Sequence, residues 1–215
     1  ILDFDQCNDK YLNTRLKLSG NKKINIATYG FCLPNKGYKE LIQAINILKK
    51  FSYNINLTLY SAIHSSQLSS IHLKELKVLI NQLKLNKSIK IDSHYYSDSE
   101  TLINLSKQQL IIFPYQSSNE SSSASVRHGL AAGPSVLVTP VPIFDDLKNL
   151  VQTLPGISSE DIADGIKSWL DKTNDQQNID KRVKANHWRK QHRFSLLGRR
   201  LQGIVKGLEI NQDFL

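Results

Sequence analysis

Glycine and cysteine are both scarce in this sequence, ten and two among 215 residues, and methionine is absent. Cys7 and Cys32 form neither a metal-ligand spacing nor a disulfide framework, which excludes a cysteine-stapled scaffold and suits a reducing compartment. No apolar run approaches the roughly 20 residues of a membrane span. The opening ILDFDQ lacks the basic-then-apolar order of a signal peptide. With no leading Met, the chain is expected to be a processed product or a piece of a longer protein. Histidines and carboxylates do not gather at metal-ligand spacing, so no metal is expected. There is no Gly-x-Ser-x-Gly elbow, no Walker loop and no dinucleotide glycine fingerprint, and no bound cofactor is expected either.

What is present is the composition of a folded globular chain, 40% hydrophobic and 22% charged. The formal net charge is +9, which points to a polyanionic partner: nucleic acid, an anionic membrane surface or a phosphate-bearing ligand. Part of the excess is concentrated late, at Lys181, Arg182, Lys184, Arg189, Lys190, Arg193, Arg199 and Arg200. A surface that stacks bases interleaves aromatics with such cations. Only Trp188 and Phe194 offer that here, so the segment is expected to be a solvated or membrane-facing helical surface and not a nucleic-acid reader.

Apolar periodicity divides the chain into alternating strands and helices. Strands are expected at 22–29, 56–60, 88–92, 110–113 and 136–139, with a marginal one at 150–153. Helices are expected at 38–50, 67–85 and 97–107, the last capped by Ser97 or Asp98. A short helix should run from near Ser122 to Gly133-Pro134, and another should follow Ser158 with Ile162, Ile166, Trp169 and Leu170 on its inner face. A polar connector at 172–178 and two basic helices near 180–190 and 194–208 finish the chain. The strands are short continuous apolar runs separated by helices. That predicts an α/β, Rossmann-like fold: a doubly wound, mostly parallel sheet with helices on both faces. Such sheets bind ligands beyond the carboxyl ends of their strands, where the loops 30–37 and 114–125 both lie.

In the first loop, Gly30 follows the strand and Lys36-Gly37 precedes a helix. A glycine there lets backbone approach a ligand, and a lysine at a helix start adds charge where an anion is already favoured. The alternative is an ordinary turn with an exposed lysine. The second loop carries ESSSASVRHGLAAG. Its small residues, Ser121, Ser122, Ser123, Ala124 and Ser125, would present backbone N–H groups to a phosphate or sugar with little obstruction. Glu120 would stand beside them to accept from hydroxyls, and Arg127 or His128, about two turns on, could point back to the ligand. The alternative is a capping region with alanines that allow close helix packing.

Over residues 24–208 the order of these motifs resembles the C-terminal, donor-binding domain of GT-B glycosyltransferases, most like glycosyltransferase family 4. The matching pieces are Gly30…Lys36-Gly37 with the ELIQAINIL helix, FPYQSSNE, RHGLAAGPSVLVTP and a terminal helical region with Trp188. The family's signature places a Glu, seven residues and a second Glu at the start of an Ala-rich helix. Here Glu120 holds the first position and His128 the second. A basic residue expected soon after the first-strand Gly is replaced by Phe31-Cys32.

The resemblance implies retaining, hexosyltransferase-type transfer of a sugar from a nucleotide-diphosphate sugar to a glycan or glycolipid acceptor, as in bacterial surface polysaccharide synthesis. It implies Glu120 at the sugar, Lys36 and the helix start on the diphosphate, and His128 toward the nucleotide, with Glu120 and Lys36 as the catalytic pair. Residues 1–21 would be a linker from an absent N-terminal domain, 22–208 the donor-binding domain and 209–215 a tail. The location would be cytoplasmic, or at the inner face of the membrane. A nucleotide-sugar binding module without catalysis stays open, because of Phe31-Cys32 and His128, as does a basic nucleic-acid or membrane-surface binder.

Overall fold

The computed structural model describes residues 23–172 and 175–212, with side chains through 208. The expected linker 1–21 lies outside the described residues. Six strands, β1 (Ile24–Phe31), β2 (Ile55–Ala62), β3 (Ile89–Asp92), β4 (Leu110–Phe113), β5 (Ser135–Val138) and β6 (Gln152–Thr153), form one sheet in the order β3-β2-β1-β4-β5-β6. Every pairing is parallel, with Ile26 opposite Leu57 on one side and Leu110 on the other.

Around the sheet lie α1 (Tyr38–Lys50), α2 (Gln67–Gln82), α3 (Asp98–Ser106), α4 (Ala124–Ala132), α5 (Ser159–Lys172), α6 (Gln176–Gln191) and α7 (Phe194–Gln212). Successive strand side chains point to opposite faces, so one short apolar run feeds two cores. Ile26, Leu57, Leu59, Leu110 and Ile112 pack with Leu41, Ile45 and Leu48 of α1, Leu76 of α2 and Ile166 and Trp169 of α5. Ala27, Ile111, Phe113, Val136 and Val138 pack on the other face with Leu102 and Leu105 of α3 and Val126 and Leu130 of α4. A fully buried Leu59 or Phe113 contributes about 1.5–3 kcal/mol of transfer free energy. Because the winding changes face between β1 and β4, the loops after those two strands diverge from a common point. This is the expected doubly wound fold, with its crevice at the β1/β4 switch.

Some boundaries differ from the sequence reading. β1 runs two residues later than expected, to Phe31. α2 ends at Gln82, because Lys84 takes a positive φ of 54° that no helix continues. The polar connector near 172–178 is shorter than its composition suggests: α5 runs to Lys172 and α6 already starts at Gln176, after Asp175 in extended backbone. α7 continues past 208 to Gln212. Part of the late basic cluster is not surface at all, since Arg182 and Arg189 are buried and Lys181 donates to the Val151 carbonyl at 2.7 Å. Trp169 is a core residue, and Trp188 packs against the α3/α4 side while stacking on His192. Among the described residues, no helix is long and apolar enough to cross a membrane.

Candidate functional site

The loops after β1 and β4 meet. Tyr38, fully buried at the start of α1, donates its hydroxyl to the Phe31 carbonyl at 3.2 Å and so fixes the end of β1; burial pushes its own pKa well up. One 3-10 turn, Pro34–Lys36, leads to Gly37 in the left-handed region at φ 71°. Only glycine fits here, because a Cβ would overlap the Pro114 carbonyl oxygen and lie 2.7 Å from its carbon. The contact is reinforced by Gln116 N–H donating to the Asn35 carbonyl at 2.9 Å and Asn35 Nδ2 donating to the Ser117 carbonyl at 3.3 Å.

Lys36 is drawn into this junction. It is 8% exposed, which removes the exposed-lysine alternative. Its Nζ lies 3.9 Å from the centroid of the Tyr115 ring, and among the described residues it forms no ion pair. Tyr115 is itself held, its carbonyl accepting from the Thr139 hydroxyl at 2.6 Å and its own hydroxyl lying 3.4 Å from Ser123 Oγ. One ring therefore supports the ammonium and touches the cap of α4. Sequence reading missed Tyr115; its position directly after the buried run LIIF and Pro114 was the available signal.

α4 begins at Ala124, with Ser123 as its N-cap accepting from Val126 N–H at 3.4 Å. Helix geometry leaves the amides of Ala124 and Ser125 without intrahelical partners, at the positive end of the dipole. Ser121 and Ser122 lie outside the helix and are exposed. At Gly30, whose φ of 147° disfavours other residues, an added Cβ would sit at ordinary contact distance, 3.4 Å, from Ser125 Oγ. Glu120 is exposed; its backbone N–H donates to Ser118 Oγ at 3.1 Å, and its carboxylate has no ion-pair partner among the described residues.

Arg127 and His128 come sooner than two turns on, at the fourth and fifth positions of the helix. Arg127 is committed elsewhere, donating to the Ser123 carbonyl at 3.0 Å and pairing with Asp146. His128 leans over Tyr29, with ring centroids 5.6 Å apart, and makes polar contacts with the Ala124 carbonyl at 3.0 Å and Asp98 at 3.2 Å.

Beside this lies a recess that sequence reading did not anticipate. Its wall comes from Tyr29, Gly30 and Phe31 of β1, Tyr60 and Ala62 of β2, His94, Tyr95 and Tyr96 after β3, and Ser125 of α4. Phe31 and Tyr95 face each other at 6.4 Å and 22°, and His64 meets Phe31 edge-on at 5.2 Å. Asp92 fixes the loop by accepting from Tyr96 Oη at 3.1 Å, Lys90 Nζ at 3.1 Å and His94 N–H at 3.3 Å. Burial alone would raise the Asp92 pKa, but these donors outweigh it and hold the carboxyl below its ordinary value. The signal in the sequence was SHYYS, three rings in a row at a strand's carboxyl end, which a periodicity reading treats only as a turn.

The model of the family described as glycosyl transferases group 1 matches residues 14–186. No curated protein matches significantly. Among solved structures, the fold is similar to a glycosyltransferase from Rickettsia africae (TM-score 0.70, 19% identity), covering 86% of this chain and 48% of that one. It is also similar to Anabaena HepE in complex with UDP and glucose (TM-score 0.68, 16% identity), covering 87% of this chain and 48% of that one. The C-terminal domain of LpcC, a glycosyl transferase group 1 family protein from Francisella tularensis, matches with TM-score 0.64 and 15% identity, over 80% of this chain and 87% of that domain. The chain thus spans about half the length of the first two proteins.

Proposed function

The chain belongs to the glycosyl transferases group 1 family, and on that premise we propose that it is the C-terminal, donor-binding domain of a GT-B glycosyltransferase that takes a nucleotide-diphosphate sugar. The observation that carries this is Lys36: an ammonium taken out of water without an ion-pair partner among the described residues, on the same Tyr115 ring that touches the α4 cap. Burying an unpaired cation is costly unless something neutralises it, and a diphosphate here would meet both the ammonium and the free α4 amides. As the bond to the sugar breaks, negative charge grows on the leaving nucleoside diphosphate, and the same two groups stabilise it. Glu120, exposed on the connection from β4 to α4, is available to the sugar hydroxyls. The aromatic recess suits a base, which would stack on Phe31 or Tyr95.

Retention of anomeric configuration and a glycan or glycolipid acceptor complete the proposal, supported by the resemblance of the motifs and not by the structure. The acceptor would be held by a second domain. Peripheral contact with an anionic membrane is compatible with α7, where Phe194, Leu201 and Leu208 are exposed beside Arg199 and Arg200. One observation favours a second reading, binding without transfer. Position 31, where a second cation would reinforce Lys36, carries an exposed phenyl ring turned to His64 and Tyr95.

The test is calorimetry of the chain with UDP-, GDP- and ADP-sugars and with the free diphosphates. Binding of one base series, with the free diphosphate retaining most of the affinity, is expected. No binding across the panel overturns the donor reading. Binding without any transfer in a longer form carrying the second domain selects the second reading.

A further inference from the structure

A ribose presents two vicinal hydroxyls, and a protein that grips them needs a hydrogen-bond acceptor with free lone pairs. The expected reader, His128, has none to spare. Nδ1 lies 3.0 Å from the Ala124 carbonyl oxygen and Nε2 lies 3.2 Å from Asp98 Oδ1. Both partners are acceptors, and the tautomer that donates Nε2–H to Asp98 leaves Nδ1 against the backbone of its own helix, so neither nitrogen is left open to a ligand hydroxyl. What His128 does in this arrangement is hold a carboxylate.

That carboxylate is not otherwise employed. The first turn of α3 is capped by its neighbours: Glu100 N–H donates to Ser97 Oγ at 3.4 Å, and Ser97 N–H donates to Glu100 Oε2 at 3.0 Å. Asp98, the other capping candidate in the sequence, is left free of that duty. Its side chain is 60% exposed, and among the described residues its side chain's hydrogen-bond partner is His128. Its position is fixed by the His128 contact. His128 belongs to α4, whose first turn faces the Lys36 junction, and it rests on Tyr29, which lines the aromatic recess. A group held by His128 is therefore close to Tyr29 at the edge of that recess and about one turn along α4 from its free amides, the stretch a ribose would span between a base and a diphosphate.

We infer that Asp98 accepts the ribose hydroxyls of the donor and that His128 is its positioning residue, so that the carboxylate comes from the start of α3 and not from α4. The inference rests on the nucleotide-sugar reading above. It makes this site selective for ribonucleotides over deoxyribonucleotides, through a residue thirty positions away from the one that sequence alignment by motif would choose.

The experiment measures calorimetric affinities of the 215-residue chain for UDP, GDP and ADP and for their 2′-deoxy and 3′-deoxy analogues. It compares wild type with Asp98→Ala, Asp98→Glu and His128→Ala, and thermal melts confirm folding. For the base that binds, wild type should prefer the ribose form by at least about tenfold, the lower end for a hydrogen bond to a charged group. In Asp98→Ala the preference should fall to within about threefold, mainly through weaker binding of the ribose form. Asp98→Glu should restore part of it, and His128→Ala should weaken it. A purely structural Asp98 would move the melting temperature or all affinities together and leave the ratio intact. A ribose preference that survives Asp98→Ala, or a wild type that binds diphosphates with no ribose preference, overturns the inference and leaves the donor reading standing. Failure of every diphosphate to bind wild type overturns both.

Discussion

Replacing Lys36 by Met separates stability from function in a way the structure specifies. Methionine keeps an unbranched stem of similar length in a position that is 8% exposed, so packing is largely preserved. What is lost from the folded state is the ammonium over the Tyr115 ring, worth about 0.5–2 kcal/mol. What is gained is relief from holding a charge in a junction with no ion-pair partner among the described residues, which opposes that loss. The two terms are of similar size, so the expected change in stability is within about 1 kcal/mol, a shift of no more than roughly 4 °C for a domain of this length. The loss of nucleoside-diphosphate binding should be larger. A charge-assisted contact contributes about 1.5–3 kcal/mol, which corresponds to a roughly 10- to 150-fold weaker Kd. Titration calorimetry with UDP, GDP and ADP, paired with thermal melts of the same preparations, reads both quantities. Wild-type affinity in Lys36→Met refutes the assignment. A collapse in melting temperature would show instead that the ammonium serves the fold.

Three further outcomes follow from the same geometry. Glu120→Gln keeps the shape of an exposed side chain that the fold does not use; it should leave diphosphate affinity and melting temperature unchanged while reducing transfer by about tenfold or more in a form carrying the acceptor domain. Gly37→Ala forces a Cβ into the Pro114 carbonyl at φ 71°; it should cost about 2–4 kcal/mol, read as a lowered denaturant midpoint, and weaken diphosphate binding with it. Asp92 has a depressed folded-state pKa, so its contribution to stability is present above the ordinary carboxylate value and is lost as pH falls through the depressed one. Asp92→Asn should therefore lose less stability than wild type between pH 7 and pH 3 in urea melts, and an unchanged acid slope would argue against the Lys90, His94 and Tyr96 contacts.

The sequence by itself determined the layered architecture, because its information is periodic and local. Runs such as LIIF and SVLV are too short for helices and too apolar for exposed strands, so burial on both faces follows, and a parallel sheet with helices on each side follows from that. The crevice was legible for the same reason: Gly30 falls at the end of a strand, and Lys36 and the serine-rich run fall just after strands. Only the tertiary structure decided which side chains meet there. Whether Lys36 is solvated or buried depends on Tyr115, seventy-nine positions away, and on the loop contact that Gly37 permits. The aromatic recess joins the ends of β1 and β2 to the segment after β3, a junction set by strand order. Arg127 and His128 are adjacent in sequence, yet one turns to Asp146 and the other to Asp98, because consecutive helix residues point about 100° apart and meet different neighbours. Periodicity fixes which face a residue occupies. The partner across that face comes from another part of the chain, and only packing brings it within hydrogen-bonding distance.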